Sequence, residues 1–335
     1  MLFCFEIIAQ DVQYSNILLT PLYLNPANTG LTNKHRAGLS YRNQWPGISK
    51  TYSTYMASYD YNADLYNSGF GGFILQDRTG TTGLVNTYGS FNYSYKIETA
   101  YKQEARAGLI LGFGQKRIDN SQLIFNDQLI TGNSSVENVS NINSKTYADV
   151  GFGFLYHTSK LDGGFTIKHL NRPDVSMTGS KEAMKMLFSL HGNYRIILAG
   201  EDKINENHEQ VLTLIMQYRN QQNNNQLELG VNYLNKMLNF GLMYRGLPLK
   251  DFKTGYERNE CLAFTAGLTV PGKGLKFSYT YDFTVSKLEF SNSKGAHEIT
   301  CIYEFGKDKA DEDREQKIKK VKNKKKTKGT IKQKF

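Results

Sequence analysis

The residues best suited to chemistry in this sequence form two short polar clusters, which favour binding rather than catalysis. The first cluster is Asn43, Gln44, Trp45 and Pro46, and the second is Asp77 and Arg78. Tryptophan and arginine are the side chains that most often anchor protein interfaces, particularly where neighbouring groups can form hydrogen bonds. We therefore predict that both clusters lie in outer loops and contact a partner.

Each cluster also has a simpler interpretation. Proline fixes its own φ and restricts the residue before it, so turn chemistry alone explains Asn25-Pro26 and Trp45-Pro46. Asp77-Arg78 is followed by Thr79-Gly80, which suits the solvated tip of a hairpin. The sequence leaves these alternatives open.

Catalytic and metal-binding signatures are absent from the sequence. It contains no GxSxG, HExxH or GxxxxGK[ST] motif, and its six histidines are scattered. Cys4, Cys261 and Cys301 lack the CxxC spacing of a zinc site and do not suggest a disulfide framework. We therefore expect a protein that is not an enzyme and uses no cofactor or metal. An active site assembled from distant Ser, His and acidic residues is the alternative.

These clusters must be positioned by strands, because stretches of alternating polarity run along most of the chain. Within Leu275–Phe283 the odd-numbered residues are Leu, Phe or Tyr, and they alternate with Lys276, Ser278, Thr280 and Asp282. Such a strand has one apolar and one polar face. Tyr and Phe gather at the strand ends, as in the aromatic girdles of outer-membrane barrels. This pattern favours a membrane barrel over a soluble sandwich.

The alternation predicts an all-β fold: a transmembrane antiparallel β-barrel over residues 37–305. We place about fourteen strands, from Ala37–Arg42 to His297–Phe305, and an even number suits a closed bacterial barrel. If the last strand ends in the periplasm, short inner turns alternate with longer outer loops. Glu201–Gln210 and Asn220–Asn225 depart from that alternation. Glycines that recur inside the strands predict room for curvature or for an internal plug.

The segments outside the predicted barrel differ in character. Residues 1–9 resemble the apolar remnant of a signal peptide, with cleavage after Ala9, and residues 10–36 form an irregular segment or a plug. Residues 306–335 carry 12 Lys and one Arg against five acidic residues, whereas the rest of the chain has 28 basic and 26 acidic ones. We expect a disordered periplasmic tail; the alternative is a tether to an acidic partner or the anionic cell wall. The nearly neutral body argues against nucleic acid.

An ordered series of motifs in the N-terminal third resembles the PorP/SprF family of outer-membrane proteins associated with the type IX secretion system. In chain order the motifs are Pro21-Leu22-Tyr23-Leu24-Asn25-Pro26-Ala27-Asn28-Thr29-Gly30, Gly38-Leu39-Ser40-Tyr41-Arg42-Asn43-Gln44-Trp45-Pro46-Gly47, Ser58-Tyr59-Asp60, Gly71-Gly72, Asp77-Arg78-Thr79-Gly80 and Tyr93-Ser94-Tyr95. Asn25, Pro26, Ala27 and Gly30 would form a structural motif within them. The rest of the chain resembles the family only in its barrel-like pattern.

The resemblance implies an outer-membrane location, contact with membrane lipid and cooperation with other type IX secretion components. It further implies that the protein receives or anchors, at the cell surface, a secreted adhesin-like substrate with a type B C-terminal sorting domain. In gliding bacteria such substrates include the adhesins of gliding motility. The alternative function is an outer-membrane transport channel for a small or hydrophobic solute.

Overall fold

A closed barrel of fourteen antiparallel strands forms the body of the protein. The computed structural model describes residues 11–32, 34–47, 52–80, 83–100, 103–119, 144–177, 180–199, 210–222, 224–246, 260–270, 272–285 and 294–306. The predicted signal-peptide remnant, 1–9, and all but the first residue of the predicted tail, 306–335, lie outside this part of the chain.

Strands occupy each of the predicted positions. In chain order they are β1 (His35–Gln44), β2 (Tyr52–Ala63), β3 (Ser68–Thr79), β4 (Leu84–Ala100), β5 (Gln103–Ile118), β6 (Lys145–Thr158), β7 (Leu161–Lys168), β8 (Leu187–Ala199), β9 (Gln210–Gln221), β10 (Asn224–Asn235), β11 (Leu238–Gly246), β12 (Cys261–Val270), β13 (Leu275–Thr284) and β14 (Ala296–Phe305). One helical turn, α1 (Pro21–Leu24), lies between the 3-10 turns Ile17–Leu19 and Pro26–Asn28, and a third 3-10 turn spans Asp64–Tyr66. None of the helices in the described ranges is long and apolar enough to span a membrane.

The sheet closes because β1 pairs with both its successor and the last strand. On one side Tyr41 lies opposite Tyr55 of β2, and on the other it lies opposite Ile299 of β14. The remaining strands each pair with their neighbours in the chain. Closure satisfies the backbone N–H and C=O groups that an open edge would leave unpaired in lipid. The predicted barrel class is therefore confirmed.

The connections define two ends of the barrel. One end carries the start of β1, the end of β14 and the connections 64–67, 101–102, 159–160, 200–209, 236–237 and 271–274, and we call it the inner end. The opposite, outer end carries the connections 45–51, 80–83, 119–144, 169–186, 222–223, 247–260 and 285–295. Short turns face the periplasm in barrels of this type, whereas the longer loops face outward. The long connection 200–209 and the short connection 222–223 are genuine exceptions, since β8, β9 and β10 pair in chain order.

The two faces of the strands follow the predicted alternation. In β13, Phe277 and Tyr279 point outward and are 46% and 43% exposed, whereas Thr280 and Asp282 point into the lumen and are 1% and 3% exposed. In β4 the same rule buries Asn92 and exposes Phe91. An exposed apolar surface of this extent needs a nonpolar solvent around it. The outer surface is thus suited to lipid, and the lumen serves as the core of the protein.

The facing of β13 predicts different effects for two neighbouring substitutions. Phe277→Arg places a cation against lipid and should destabilise the barrel by about 2 kcal/mol. Lys276→Ser removes one partly exposed ion pair, in which Lys276 Nζ lies 2.8 Å from Glu304 Oε1, and should cost about 1 kcal/mol or less. Heat-modifiable migration and urea unfolding in detergent micelles measure both effects. Equal destabilisation by the two changes would show that the facing is wrong.

Candidate functional site in the barrel lumen

Residues 11–32, here named the luminal segment, run through the barrel from its outer end to its inner end. At the outer end the Asp11 backbone N–H donates to Gln221 Oε1, 3.1 Å away, at the last residue of β9. Near the inner end the Gly30 N–H donates to Asp60 Oδ2 of β2, 2.7 Å away. Since β1 then begins at the inner end, the segment runs antiparallel to β1. Residue 11 consequently lies on the outward side of the lumen.

The luminal segment touches every strand of the barrel. Its contacts, one for each strand from β1 to β14, include Arg42, Asp60, Phe73, Ser94, Arg106, Phe154, Thr166, His191, Gln221, Glu228, Arg245, Ala263, Asp282 and Glu298. Most of these contacts are hydrogen bonds, given or accepted by polar side chains that face inward. The segment therefore supplies partners for groups that would otherwise be buried without them.

Apolar contacts hold the middle of the luminal segment on two sides. On one side Tyr14 and Leu22 pack against Met56, Phe73 and Leu75 of β2 and β3. On the opposite side Ile17 and Leu24 of the segment join a second cluster, with Ile215 of β9, Met243 of β11 and Ala263 of β12. Full burial of one such side chain stabilises a fold by about 1.5–3 kcal/mol. The segment is thus packed into the barrel as part of its core.

Asn25 is the centre of the motif predicted at Asn25, Pro26, Ala27 and Gly30. Its side chain is 0% exposed. Its Oδ1 accepts a hydrogen bond from the Ala27 N–H at 2.9 Å and caps the 3-10 turn that Pro26 begins. Its Nδ2 donates to the carbonyl oxygens of Phe154 at 2.9 Å and Phe165 at 3.2 Å. The turn chemistry is therefore real, and it also docks the segment against β6 and β7.

Strand glycines provide the space in which the luminal segment lies. A Cβ atom on Gly108 would overlap the backbone of Pro26 and Ala27, and one on Gly69 would overlap the carbonyl of Thr29. Gly30 itself has a φ of +69°, and a Cβ there would lie 2.8 Å from the Cα of Gly69. The recurrent glycines thus allow the backbones to approach closely, which is one of the two roles predicted for them.

Arginines secure the inner end of the segment. Arg36 Nε lies 2.8 Å from Asp60 Oδ1, and Arg36 also donates to the carbonyl of Asn28 at 3.2 Å. From β5, Arg106 Nη1 donates to the carbonyl of Thr29 at 2.8 Å. These charge-assisted hydrogen bonds are stronger than neutral ones. They tie the segment directly to the wall beside the start of β1.

Five charged side chains from five strands meet at the outer mouth of the lumen, and we call them the mouth cluster. They are Arg42, Glu228, Arg245, Asp282 and Glu298. Arg42 Nη2 lies 2.8 Å from Asp282 Oδ2, and Arg42 Nη1 lies 3.4 Å from Glu298 Oε2. Arg245 lies 3.1 Å from Glu228 Oε1 and 3.2 Å from Asp282 Oδ2. All five are buried, so their mutual pairing offsets a large desolvation cost.

A second polar site holds the outermost described residue of the segment. His169 follows β7, and its Nε2 lies 2.9 Å from Asp11 Oδ2 while its Nδ1 lies 3.0 Å from Asp149 Oδ1. Burial by itself lowers the pKa of His169, but the two carboxylates outweigh it and raise that pKa from 6.5 to about 9. The pKa of Asp11 lies well below its ordinary value: burial opposes this shift, and His169 is the main group that causes it. The pair is therefore charged at neutral pH.

The structure places the first predicted binding cluster differently from expectation. Asn43 and Gln44 are the last residues of β1, opposite His297 and Ala296 of β14, and do not lie in a loop. Trp45 does begin the outer connection, with a φ of +58°, but it is half-buried. Its ring meets the Tyr52 ring edge-on at 5.4 Å. The backbone N–H of Trp45 donates to the carbonyl of Gly295 at 2.8 Å.

Trp45 and Pro46 therefore sit where the β1–β2 connection contacts the β13–β14 connection. Trp45 is half-buried there because the strand register brings a second loop beside it. The prediction that this region binds a partner stays a prediction.

The second predicted cluster is also corrected. Asp77 and Arg78 belong to β3 and do not form the tip of a hairpin. Adjacent residues of a strand point to opposite faces. Asp77 turns inward and accepts a hydrogen bond from Thr54 Oγ1 at 2.6 Å, whereas Arg78 is exposed on the outer face. The pair therefore does not form one contact site.

The mouth cluster was missed at the level of sequence. A signal was present, because each of its members lies at an inward position of an alternating strand. Their convergence was hidden because β1, β10, β11, β13 and β14 are far apart in the chain. Among the described residues, no group of three or more His, Cys, Asp or Glu side chains is arranged to hold a metal ion.

Comparison with known families decides the identity of this barrel. The family model for the type IX secretion system membrane protein PorP/SprF matches residues 7–303. The chain belongs to the PorP/SprF family. The family match covers the luminal segment and nearly all of the barrel, far beyond the N-terminal motifs that first indicated it. This PorP/SprF protein is accordingly an outer-membrane barrel of the type IX secretion system.

Three solved structures resemble this chain at low sequence identity. The toluene transporter TodX of P. putida has a TM-score of 0.49 and 10% identity, over 88% of this chain and 95% of that chain. The monoaromatic hydrocarbon channel CymD has a TM-score of 0.48 and 12% identity, over 86% and 93%. Omp33 of Acinetobacter baumannii has a TM-score of 0.45 and 7% identity, over 81% and 99%. These likenesses say nothing about what the PorP/SprF protein binds. No curated protein sequence matches the chain.

The glycine contacts predict how the luminal segment can be released without unfolding the barrel. Gly108→Ala should push Pro26 and Ala27 away from β5 and expose the segment to protease, because the added methyl meets backbone atoms. Gly163→Ala is the matched control, since a Cβ there meets nothing within 4 Å. Limited proteolysis followed by mass spectrometry measures the change. Equal resistance of the two variants would contradict the packing described above.

The Asp11–His169 pair predicts a loosening of the outer part of the segment at alkaline pH. Because folding raises the pKa of His169, its stabilisation is complete below pH 6.5 and is lost as pH rises through about 9. A shift of this size corresponds to roughly 3 kcal/mol. Proteinase K should therefore cleave near residue 11 faster at pH 9.5 than at pH 6.5, relative to a reference substrate. In the His169→Gln variant, cleavage should be fast at both pH 6.5 and pH 9.5. If cleavage of this variant still depended on pH, a group other than His169 would be responsible.

Proposed function

We propose that this protein is a non-enzymatic component of type IX secretion that receives or anchors a secreted adhesin-like substrate at the cell surface. The substrate would carry a type B C-terminal sorting domain, and other secretion components would deliver it. The observation that carries this proposal is the membership of the chain in the PorP/SprF family over residues 7–303. The organisation of the lumen and of the outer loops supports it.

The lumen supports a binding role because the luminal segment occupies it. The segment contacts all fourteen strands and buries Tyr14, Leu22 and Asn25 almost completely. A transport pathway for a solute would require those contacts to break. A docking platform requires only a stable barrel that presents its outer loops. The packed segment stabilises such a barrel.

The outer end supports docking because two of its connections meet there. The connections after β1 and β13 are joined by the hydrogen bond between Trp45 and Gly295. A half-buried tryptophan that its neighbours hold in place loses little conformational entropy when a partner covers it. We therefore retain Trp45 and Pro46 as partner-binding candidates. Asn43 and Gln44 border them at the end of β1, and Arg78 is exposed on the outer surface nearby.

The Lys-rich tail would act at the opposite end. Both termini of the strand series lie at the inner end, so a tail that follows Phe305 starts on the periplasmic side. There it would tether the barrel to an acidic partner or to the anionic cell wall. This part of the proposal concerns residues outside the described ranges.

Deletion of the protein tests the anchoring role. Loss of the anchor should remove a specific adhesin-like substrate from the cell surface, while general type IX secretion continues. The substrate should then appear in the medium or be degraded. Surface proteomics of the deletion strain makes the comparison. An unchanged set of surface proteins, together with altered uptake of a small solute, would favour the channel alternative and overturn anchoring.

A point substitution tests the outer loops. Trp45→Ala should weaken substrate retention by about 2 kcal/mol and leave the amount of barrel in the membrane unchanged. Tyr66→Ala is the control, because Tyr66 is 72% exposed but lies in an inner turn. Quantitative surface labelling of the retained substrate measures both. Retention that falls equally in the two variants would show that Trp45 has no special role.

A further inference from the structure

The mouth cluster forms hydrogen bonds with backbone groups of the luminal segment. The Glu298 carboxylate accepts the N–H groups of Ser15 at 2.6 Å and Asn16 at 3.3 Å. Arg245 Nη2 donates to the carbonyl of Tyr14 at 3.1 Å. These three hydrogen bonds do not depend on which side chains the bound segment carries. Other peptides that present the same backbone groups can therefore make them.

Side chains of the segment add three further contacts. Ser15 Oγ donates to Asp282 Oδ2 at 2.7 Å and accepts a hydrogen bond from Arg42 Nη1, and Gln13 Nε2 donates to Glu228 Oε1. Two of the three direct a neutral group at a buried carboxylate. A cationic group at the position of Gln13 would make a charge-assisted hydrogen bond instead, which is stronger.

The charge balance of the mouth cluster favours such a cation. Three carboxylates, Glu228, Asp282 and Glu298, face two guanidinium groups, Arg42 and Arg245. Glu228 and Asp282 are 1% and 3% exposed, and their Oε2 and Oδ1 atoms have no hydrogen-bond partner among the described residues. A buried carboxylate without full compensation is costly. The site is consequently better matched to a basic ligand than to Gln13.

The site lies toward the outer end of the barrel, the side from which an external peptide would approach. Each member of the mouth cluster lies in the outer half of its strand. The inner half of the luminal segment is held separately, by Asn25, Arg36 and Arg106. Residues 13–16 can leave the mouth cluster while the inner half stays in place only if Tyr14 also leaves its packing against Met56 and Phe73, so an incoming peptide must refill that apolar space.

We propose that the mouth cluster is a binding site for a basic peptide, which residues 13–16 occupy as an internal ligand that an external peptide displaces. The peptide contributes backbone groups to Glu298 and Arg245, and a Lys or Arg side chain to Glu228. This inference rests on the proposed function only for the source of the peptide, which would be a secreted substrate at the cell surface. Because a short tether gives the internal ligand a high effective concentration, it competes with external peptides and keeps the site occupied in their absence.

A pair of opposite substitutions in the internal ligand tests the proposal in the full-length chain. In Gln13→Glu the new carboxylate is repelled by Glu228, which should release residues 13–16. In Gln13→Lys the new ammonium group pairs with Glu228, which should hold these residues more tightly. The probes are two fluorescent peptides with the sequence of residues 11–18, one with Gln at the position of Gln13 and one with Lys. Fluorescence anisotropy in detergent micelles measures their binding. Heat-modifiable migration confirms that each variant is folded.

The Lys peptide should bind the Gln13→Glu protein at least tenfold more tightly than the Gln13→Lys protein. On the Gln13→Glu protein it should also bind at least tenfold more tightly than the Gln peptide, and Glu228→Gln should remove this preference. Equal binding of the two peptides, or of a scrambled Lys peptide, would overturn the proposal. Displacement by free lysine as effective as that by the peptide would also overturn it, because the site would then recognise a small cation alone.

The peptide-binding experiment and the deletion experiment can fail independently, so a failure of this inference is distinguishable from a failure of the proposed function. Peptide binding with normal surface proteins in the deletion strain would support the site and reject anchoring. Loss of a surface substrate together with no charge-dependent peptide binding would support anchoring and reject the mouth cluster as the peptide site.

Discussion

The constraint on which the structure depends is that every backbone polar group in lipid must find a partner within the protein. A sheet satisfies this requirement only when it closes, and here closure is made by β14 against β1, with His35 opposite Phe305 and Gln44 opposite Ala296. Closure creates two environments, because the side chains of each strand alternate between them. Lipid receives the apolar set, and the lumen receives the polar set.

The polar lumen creates a second requirement. Arginine, glutamate and aspartate side chains that face inward are shielded from water. Another part of the protein must therefore supply the hydrogen bonds that water would have made. The luminal segment meets this need along the full height of the barrel, from Asp11 at the outer end to Gly30 at the inner end. Glycines at Gly69 and Gly108 let its backbone approach the wall. Barrel and segment therefore form one packed unit.

This arrangement separates stability from recognition. The inner half of the segment is fixed by Asn25 and by Arg106, through hydrogen bonds to the barrel wall and to the segment backbone. The outer half is held by Tyr14 in the apolar cluster and by charged groups, among which Glu228 and Asp282 are incompletely balanced. Charged groups that lack full compensation contribute little to folding but discriminate strongly between ligands. In a protein that belongs to a secretion system, the outer mouth is also where an exported chain would arrive.

The sequence by itself determined the fold class, the number of strands and the two faces of each strand, because alternation with a period of two is a local property of the chain. It also indicated the PorP/SprF family through motifs that are contiguous, such as the turn around Asn25. Tertiary structure alone decided which polar residues meet. Arg42 and Asp282 are neighbours only because the barrel closes, and Trp45 is half-buried because Tyr52 and the connection before β14 lie beside it. Asp77 and Arg78 face opposite ways because β3 extends further than its turn-like residues suggested. Pairing between distant strands is set by closure and register, and a single sequence carries no local signal for either.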